Sequence, residues 1–510
     1  VYHGIPFAKP PTGDLRWKIP QAPNAWEKTL QATLFKSHQC TQLDLVRGER
    51  IGQEDCLYLS VYVPKECTQE NPCAVMQWIY GGAWILGSNY EFGRYDATDF
   101  VEKFKVIVVA GNYRLDSLGW LSLDELRDES SDGSFGNYGL HDQRAGLQWT
   151  QRNIAAFGGD PDMVTIFGES AGGFSVCQHL VSPASDGLFS RAIMESGDCD
   201  GPWLIFPSES ARAFGDQYAS YVGCPPGGDR LSCMRKLDIK HVMIPYVNEF
   251  LCKADQDPPN PFCNNSVTAA VTNSDETPRW PIARPPMAPI VAFAAVVDGT
   301  EQGLPQVPYA LIKDGKINRS PTGEKISVIF GTNRDELALF LVAMPFVIPH
   351  IKLPFRDADM SLVANHLTQY HTNWGPPEAN EILAAYPRSD YETGNMQIVR
   401  AGTDFIFGTY VLSQDLLLRA QSPPLPPLLL LILSRSFLNP GRIFFSTAAC
   451  GTRDSARAIS AQGVRTYMYS FEFEGDNYID PAKTICSLDA EILCGVYHGA
   501  EVSYVFQKST

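Results

Sequence analysis

Apolar residues gather into short uninterrupted runs that end at Gly or Asn turns: Ala74–Tyr80, Val106–Ala110, Val164–Phe167, Ser327–Phe330 and Thr466–Phe473. A strand buried on both faces reads this way, because neither side needs polar residues. A strand with one wet face alternates instead. Between some of these runs the spacing turns helical. In Asp142–Ala156, residues Ala145, Leu147, Trp149 and Ile154 recur at roughly helical intervals, and the small residues after Ser170 open a second helical stretch. Alternating strands and helices predict an α/β fold with a large, mostly parallel central sheet flanked by helices. Gln421–Arg442 breaks the pattern, with Pro423-Pro424-Leu425-Pro426-Pro427 running into an apolar stretch from Leu428 to Leu433. That stretch is far short of the about 20 residues needed to cross a bilayer, so no stable membrane insertion is expected. It reads either as the buried start of a helix or as an insert foreign to the fold.

Length and composition narrow the class. The 510 residues suffice for one very large α/β domain or for several ordinary ones, and 44% hydrophobic with 19% charged residues is the balance of a globular chain. A net charge of −16 repels a phosphate backbone, so nucleic acid is not an expected partner. Many of the 13 cysteines fall in close pairs, Cys40/Cys56, Cys67/Cys73, Cys224/Cys233 and Cys252/Cys263. None has the two-residue spacing of a zinc site, and no histidine pair stands nearby, so no metal is expected. Close pairs flanking polar loops read as disulfides and hence as an oxidising compartment. Cys177, Cys199 and Cys450 have no obvious mates. Two glycosylation sequons occur, at Asn264 and, less favourably because Pro321 follows, at Asn318. The chain starts at Val1 without a charged and apolar leader, so secretion is not read directly from it.

Gly168-Glu169-Ser170-Ala171-Gly172 fits the G-x-S-x-G pattern, after a strand-like run and before small residues able to open a helix. A tight strand-to-helix turn there strains the serine and exposes its hydroxyl, and the flanking glycines leave room for strand and helix to approach. Five residues alone are a weak signal; the context makes Ser170 a candidate nucleophile. Such a hydroxyl needs a base, and the base needs an orienting acid. Of nine histidines, His498 stands out in Gly495-Val496-Tyr497-His498-Gly499, late in the chain and flanked by glycines. His141, in Gly139-Leu140-His141-Asp142-Gln143, reads as structural. Asp335 and Glu336 follow the strand-like Ser327–Phe330, at the sheet edge where α/β sites form. Tyr80-Gly81-Gly82-Ala83-Trp84, past the end of another such run, is placed to offer backbone N–H groups to an oxyanion, together with that of Ala171.

These segments resemble the type-B carboxylesterase/lipase family, which includes the cholinesterases and some fungal lipases. So do Gly4-Ile5-Pro6-Phe7-Ala8-Lys9-Pro10-Pro11, Glu54-Asp55-Cys56-Leu57-Tyr58-Leu59, Asn112-Tyr113-Arg114, Gly136-Asn137-Tyr138-Gly139-Leu140-His141-Asp142-Gln143 and Asn153-Ile154-Ala155-Ala156-Phe157-Gly158-Gly159-Asp160-Pro161. The resemblance implies an α/β-hydrolase fold as one domain over residues 1–510, a fungal member, and a secreted or secretory-pathway glycoprotein. It implies a Ser170–Glu336–His498 triad, with Glu336 rather than Asp335 as the acid, and oxyanion donors Gly82, Ala83 and Ala171. It implies disulfides Cys40–Cys56 and Cys224–Cys233, and no cofactor. The expected substrates are small-molecule or lipid esters, cleaved by a carboxylesterase or, alternatively, a triacylglycerol lipase. A non-catalytic binding or adhesion protein on this scaffold typically lacks a triad member, whereas all three are present here. An inactive truncated product is the other alternative, since both ends look short against the family and 421–442 looks inserted.

Three departures refine the expectation. Many relatives carry a third glycine where Ala83 stands, so esters of bulky tertiary alcohols are expected to fit poorly. No aromatic residue lies between Cys40 and Cys56, which disfavours a choline substrate because cation–π recognition needs a ring. The loop Thr41–Asp55 is short and polar, unlike the apolar lid of some fungal lipases.

Overall fold

The computed structural model describes residues 1–26, 28–32, 38–44, 49–199, 205–242, 293–334, 336, 384, 386–390, 397, 399–400, 450–471 and 500–506. Twelve strands are described: β1 Tyr2–Pro6, β2 Gln42–Asp44, β3 Glu49–Ile51, β4 Tyr58–Tyr62, β5 Cys73–Ile79, β6 Ile107–Gly111, β7 Gly159–Glu169, β8 Arg191–Glu195, β9 Ile205–Pro207, β10 Ala295–Val297, β11 Ser327–Asn333 and β12 Thr466–Phe471. Eight form one sheet in the order β1-β4-β6-β5-β7-β8-β11-β12. The β1/β4 and β4/β6 pairs are antiparallel; every pair from β6/β5 to β11/β12 is parallel. The sheet is therefore the large, mostly parallel one that the apolar runs predict.

The α-helices among the described residues are α1 Thr98–Phe104, α2 Asp116–Trp120, α3 Asp124–Glu129, α4 Tyr138–Asn153, α5 Ala171–Val181, α6 Ser208–Tyr221, α7 Arg230–Lys236, α8 Pro308–Lys313, α9 Cys450–Ala461 and α10 Val502–Val505. Among the described residues no helix is long and apolar enough to cross a membrane. The central strands carry the core. Val75, Ile107, Val108, Val109, Val164, Ile166, Ala192, Met194, Val328 and Phe330 are all buried, as continuous apolar strands must be when both faces are covered. β12 differs from its expected burial: it is the outermost strand, and Tyr467 and Met468 are exposed. The segment Gln421–Arg442 lies outside the described residues.

Polar side chains also tie helices to the sheet. Asp142, in the first turns of α4, takes a two-point ion pair from Arg114, with Nε–Oδ2 2.7 Å and Nη2–Oδ1 2.8 Å. The Arg114 backbone N–H adds a third bond at 3.0 Å. Both residues are buried, and Arg114 also donates to Lys18 O, so one guanidinium joins the loop after β6, α4 and the N-terminal segment. Further along α4, buried Arg144 donates to Ser182 Oγ, Ser185 Oγ and Gln302 O and meets His141 Nδ1 at 3.0 Å. His141 is thus structural, as its sequence setting suggests. Burial holds both His141 and His179 well below the ordinary imidazole range.

Four disulfides are described: Cys40–Cys56, Cys67–Cys73, Cys177–Cys199 and Cys224–Cys233. The third joins two cysteines that have no obvious mates in the sequence. They meet because β8 returns beside α5 and delivers Cys199 to Cys177. Cys252 and Cys263 lie outside the described residues, as does Asn264. Asn318 is buried, and its side chain donates to His179 O and Ser182 O, so the folded chain does not present this sequon to solvent.

A buried charge left without its partner is far more costly than an apolar replacement of the pair. Arg114→Met should therefore lower stability by about 3–5 kcal/mol, whereas Arg114→Met/Asp142→Leu should recover most of that loss. Thermal melting of the two variants beside wild type checks this.

Candidate active site

Strand β7 ends at Glu169 and helix α5 begins at Ala171, which leaves one residue, Ser170, to make the turn. It does so with φ 56° and ψ −124°, a conformation that side-chain-bearing residues rarely adopt. Local packing holds it there. A Cβ on Gly172 would lie 1.9 Å from Ile79 O, and one on Gly168 would lie 2.5 Å from the same oxygen. A Cβ on Gly173 would lie 2.8 Å from Glu195 O. No side chain fits at any of the three positions, so the first turn of α5 presses directly onto the ends of β5 and β8. The Ser170 N–H donates to Glu195 O at 2.9 Å, and Ser170 O accepts from Phe174 N at 3.0 Å. The hydroxyl is thereby carried at the N-terminus of α5, where the helix dipole favours negative charge.

The glycine turn after β5 packs onto this elbow. A Cβ on Gly81 would lie 2.6 Å from Glu169 O and 3.0 Å from Ser170 Cβ. Gly82 has φ 108°, Ala83 φ 55° and Trp84 φ 58°, three successive residues in left-handed backbone. A buried network secures the turn. Trp84 Nε1 donates to Ser175 Oγ at 2.9 Å, and Ser175 Oγ donates to Ala171 O at 2.9 Å, so the indole is pinned to the first turns of α5. Farther on, Gly87 exchanges two hydrogen bonds with the Gln42 side chain, each 2.8 Å, which links the turn to the loop closed by Cys40–Cys56. Among the described residues the N–H groups of Gly82, Ala83 and Ala171 donate no hydrogen bond within the protein. Among the described residues these three donors are thus left over on either side of the contact between Gly81 and Ser170.

Glu336 is fully buried just past the end of β11, and its Oε1 accepts from Asn333 N at 2.7 Å. The Asn333 side chain in turn donates to Glu501 Oε2 at 2.5 Å, and Ser196 Oγ donates to Glu501 Oε1 at 3.3 Å. Burial, followed by Glu169 and Glu336, raises the Glu501 carboxyl to about 8. Phe506, at the far end of α10 from Glu501, is buried, with its ring 5.1 Å from Trp78 and 6.1 Å from Phe167. His498 lies outside the described residues, and so does Asp335. The structure therefore brings together Ser170, Gly82, Ala83 and Ala171, and places Glu336 at the same ends of the parallel strands.

Three acids went unread in the sequence as parts of the site: Glu169, Glu195 and Glu501. Glu169 sits inside the serine motif and Glu501 three residues after His498, but neither carries a spacing of its own, and Glu195 becomes a neighbour of the serine only through the sheet register. Among the described residues no group of three or more His, Cys, Asp or Glu is arranged to hold a metal ion.

Comparison with known proteins is consistent with this geometry. Residues 1–422 match the carboxylesterase family. The chain is 30% identical to the acetylcholinesterase of Danio rerio over 523 residues, which cover 99% of the chain and 71% of the relative. It is 34% identical to the cholinesterase of Mus musculus over 355 residues, 67% of the chain and 51% of that relative. It is 39% identical to the bile salt-activated lipase of Homo sapiens over 257 residues, 48% of the chain and 32% of that relative. The chain thus spans only about half, or less, of the last two. These relatives are vertebrate proteins, and none of them supports the expected fungal source.

If the fit of α5 against Ile79 O sets the serine, Gly172→Ala should abolish activity or accumulation of folded protein. Its overlap exceeds the kind that costs about 1–3 kcal/mol in ordinary overpacked cores. Gly111→Ala, whose Cβ would make only ordinary contacts at 3.7 and 3.8 Å, should be tolerated. Soluble yield and esterase assay of the two variants check this.

Proposed function

This chain belongs to the carboxylesterase family, an α/β-hydrolase family, and on that premise we propose that it hydrolyses carboxylic esters through a Ser170–His498–Glu336 triad and an acyl-enzyme. One observation carries the reading: Ser170 sits strained at the strand–helix elbow with the Gly81 turn packed on it, and among the described residues the N–H groups of Gly82, Ala83 and Ala171 have no acceptor in the protein. A serine at an ordinary turn has no need of either feature.

In the proposed mechanism His498 takes the hydroxyl proton as Ser170 Oγ attacks the ester carbonyl. The Gly82, Ala83 and Ala171 N–H groups receive the oxyanion, each donor contributing a few kcal/mol (about 3–4 where one has been removed). Glu336 orients His498 and stabilises its charged form. His498 then returns the proton to the leaving alcohol, and water repeats the sequence on the acyl-enzyme. Two facts support the roles of Glu336 and His498. Glu336 is buried beside Asn333, whose side chain holds Glu501, and His498 precedes Glu501 by three residues, a tether of about 10 Å at full extension.

The substrate is proposed to be a small-molecule or lipid ester with a modest alcohol group. The Ala83 methyl narrows the space beside the reacting carbonyl, and the Cys40–Cys56 loop offers no ring for a quaternary ammonium. Similarity to a bile salt-activated lipase keeps triacylglycerol hydrolysis as the second reading. The four disulfides support maturation in an oxidising, secretory compartment.

Ser170→Ala should lower hydrolysis of a short-acyl p-nitrophenyl ester by at least about a thousandfold with an unchanged circular dichroism spectrum. Full turnover in that variant would remove the assignment. Ala83→Gly should raise kcat/KM for a tertiary-alcohol ester relative to a primary one, read from paired kinetics on the two esters.

A further inference from the structure

β7, β8, β11 and β12 are parallel neighbours, and their register sets Glu169 beside Glu195, Glu195 beside Gly331, and Gly331 beside Tyr469. Residues paired in this way share a face of the sheet, so one row crosses four strands at the ends that carry the site. Gly331 governs what the row can do. A Cβ there would lie 1.9 Å from Tyr469 Cζ and 2.2 Å from its hydroxyl, so the phenol ring lies across the glycine, toward Glu195. Glu195 also accepts the Ser170 N–H with its own carbonyl, which puts the row directly beneath the nucleophile.

The surroundings of Glu195 are acidic on every side described. Glu169 flanks it from β7, and Glu501 approaches from the residue before α10. Tyr469, on β12, faces Glu195, Glu501, Glu336 and Glu169. Helix α5, packed on β8, brings Gly173 against Glu195 O; its one titratable side chain, His179, is engaged with Ser185 and Gln143. Glu195 is 3% exposed, and among the described residues its Oε2 has no hydrogen-bond partner. A bare carboxylate in such a place is among the costliest arrangements a protein can hold. Burial first, then Glu501 and Glu169, hold the Glu195 carboxyl well above the ordinary carboxylate range.

We propose that Glu195 is a positioning residue of the acyl-transfer site that works uncharged, its retained proton keeping one further anion from beneath Ser170 while the row stays packed. The proposal rests on Ser170 being the nucleophile. Ionisation of Glu195 would set negative charge close to the elbow where an oxyanion forms on the ester carbonyl during attack, and turnover would fall.

Glu195→Gln keeps the shape and removes the titration. In the full chain, kcat and KM for a p-nitrophenyl ester are measured from about pH 6 to 10, with melting temperatures across the same range. The alkaline decline of kcat should move up by at least about one pH unit in the variant, while KM does not follow. The melting temperature of the variant should gain on wild type as pH rises. A raised carboxyl pKa stabilises the native state fully below the unfolded value of 4.5 and loses that contribution as pH climbs through the folded value. Superimposable kcat profiles would overturn the positioning role whatever the melting shows, and a flat melting difference would overturn the retained proton. Glu195→Met, uncharged and of similar volume, carries the same expectations should the glutamine variant not fold. Ser170→Ala run in parallel tests the nucleophile separately, and the melting comparison tests the protonation of Glu195 independently of catalysis.

Discussion

The close approach of helix α5 to the end of strand β5 is the contact on which the rest depends. It admits no side chain at Gly172 or Gly168, so α5 is pressed onto β5 while only one residue is left to turn from β7 into the helix. That residue is Ser170, and its backbone strain follows from the geometry of the junction. Strain of this kind amounts to about 1–3 kcal/mol and persists only where neighbours over-determine it. Here the neighbours are the Glu195 carbonyl, the Gly81 turn and the Trp84–Ser175–Ala171 chain of hydrogen bonds. The helix end, the N–H donors and the nucleophile are consequently one rigid unit rather than separate parts gathered around a cleft.

Outside that unit, support comes from groups that bond to several elements at once. Arg114 fastens the N-terminal segment, the loop after β6 and α4. Arg16 binds Glu54 at two points, each 2.7 Å, and also the carbonyls of Met234 and Leu237, joining the disulfide loop to α7. Gln42 carries the same loop to Gly87. Each of these groups is buried and has its charge or amide bonded, with only Arg114 Nη1 among them left without a partner among the described residues, and bonded polar groups specify an interior rather than weaken it.

The same physics decides how much of the molecule is legible in its sequence. Buried strands announce themselves as apolar runs, so β5, β6, β7 and β11 were legible to within a few residues. The serine was legible because its turn needs glycines at fixed offsets. Arg114 and Asp142 were visible as motif residues but not as a pair, since their meeting depends on how α4 lies over the sheet. Glu195 and the Cys177–Cys199 bridge left no trace, because both arise where β8 comes to rest between β7 and β11. β12 was read as a buried strand because sequence does not reveal which run will lie outermost. His498 stands out by its flanking glycines, its late position and the family resemblance, and its place falls outside the described residues.

The spacing of the disulfides has a consequence for how the chain matures. The four bridges described close intervals of 16, 6, 22 and 9 residues, and none reaches across the molecule. Short loops close on timescales far below that of thiol oxidation, so the correct partner is already the nearest one when an oxidant arrives. A chain emerging N-terminus first into an oxidising compartment can complete each bridge before the next pair appears. Among these eight cysteines there is little occasion for wrong pairings that would later need reshuffling.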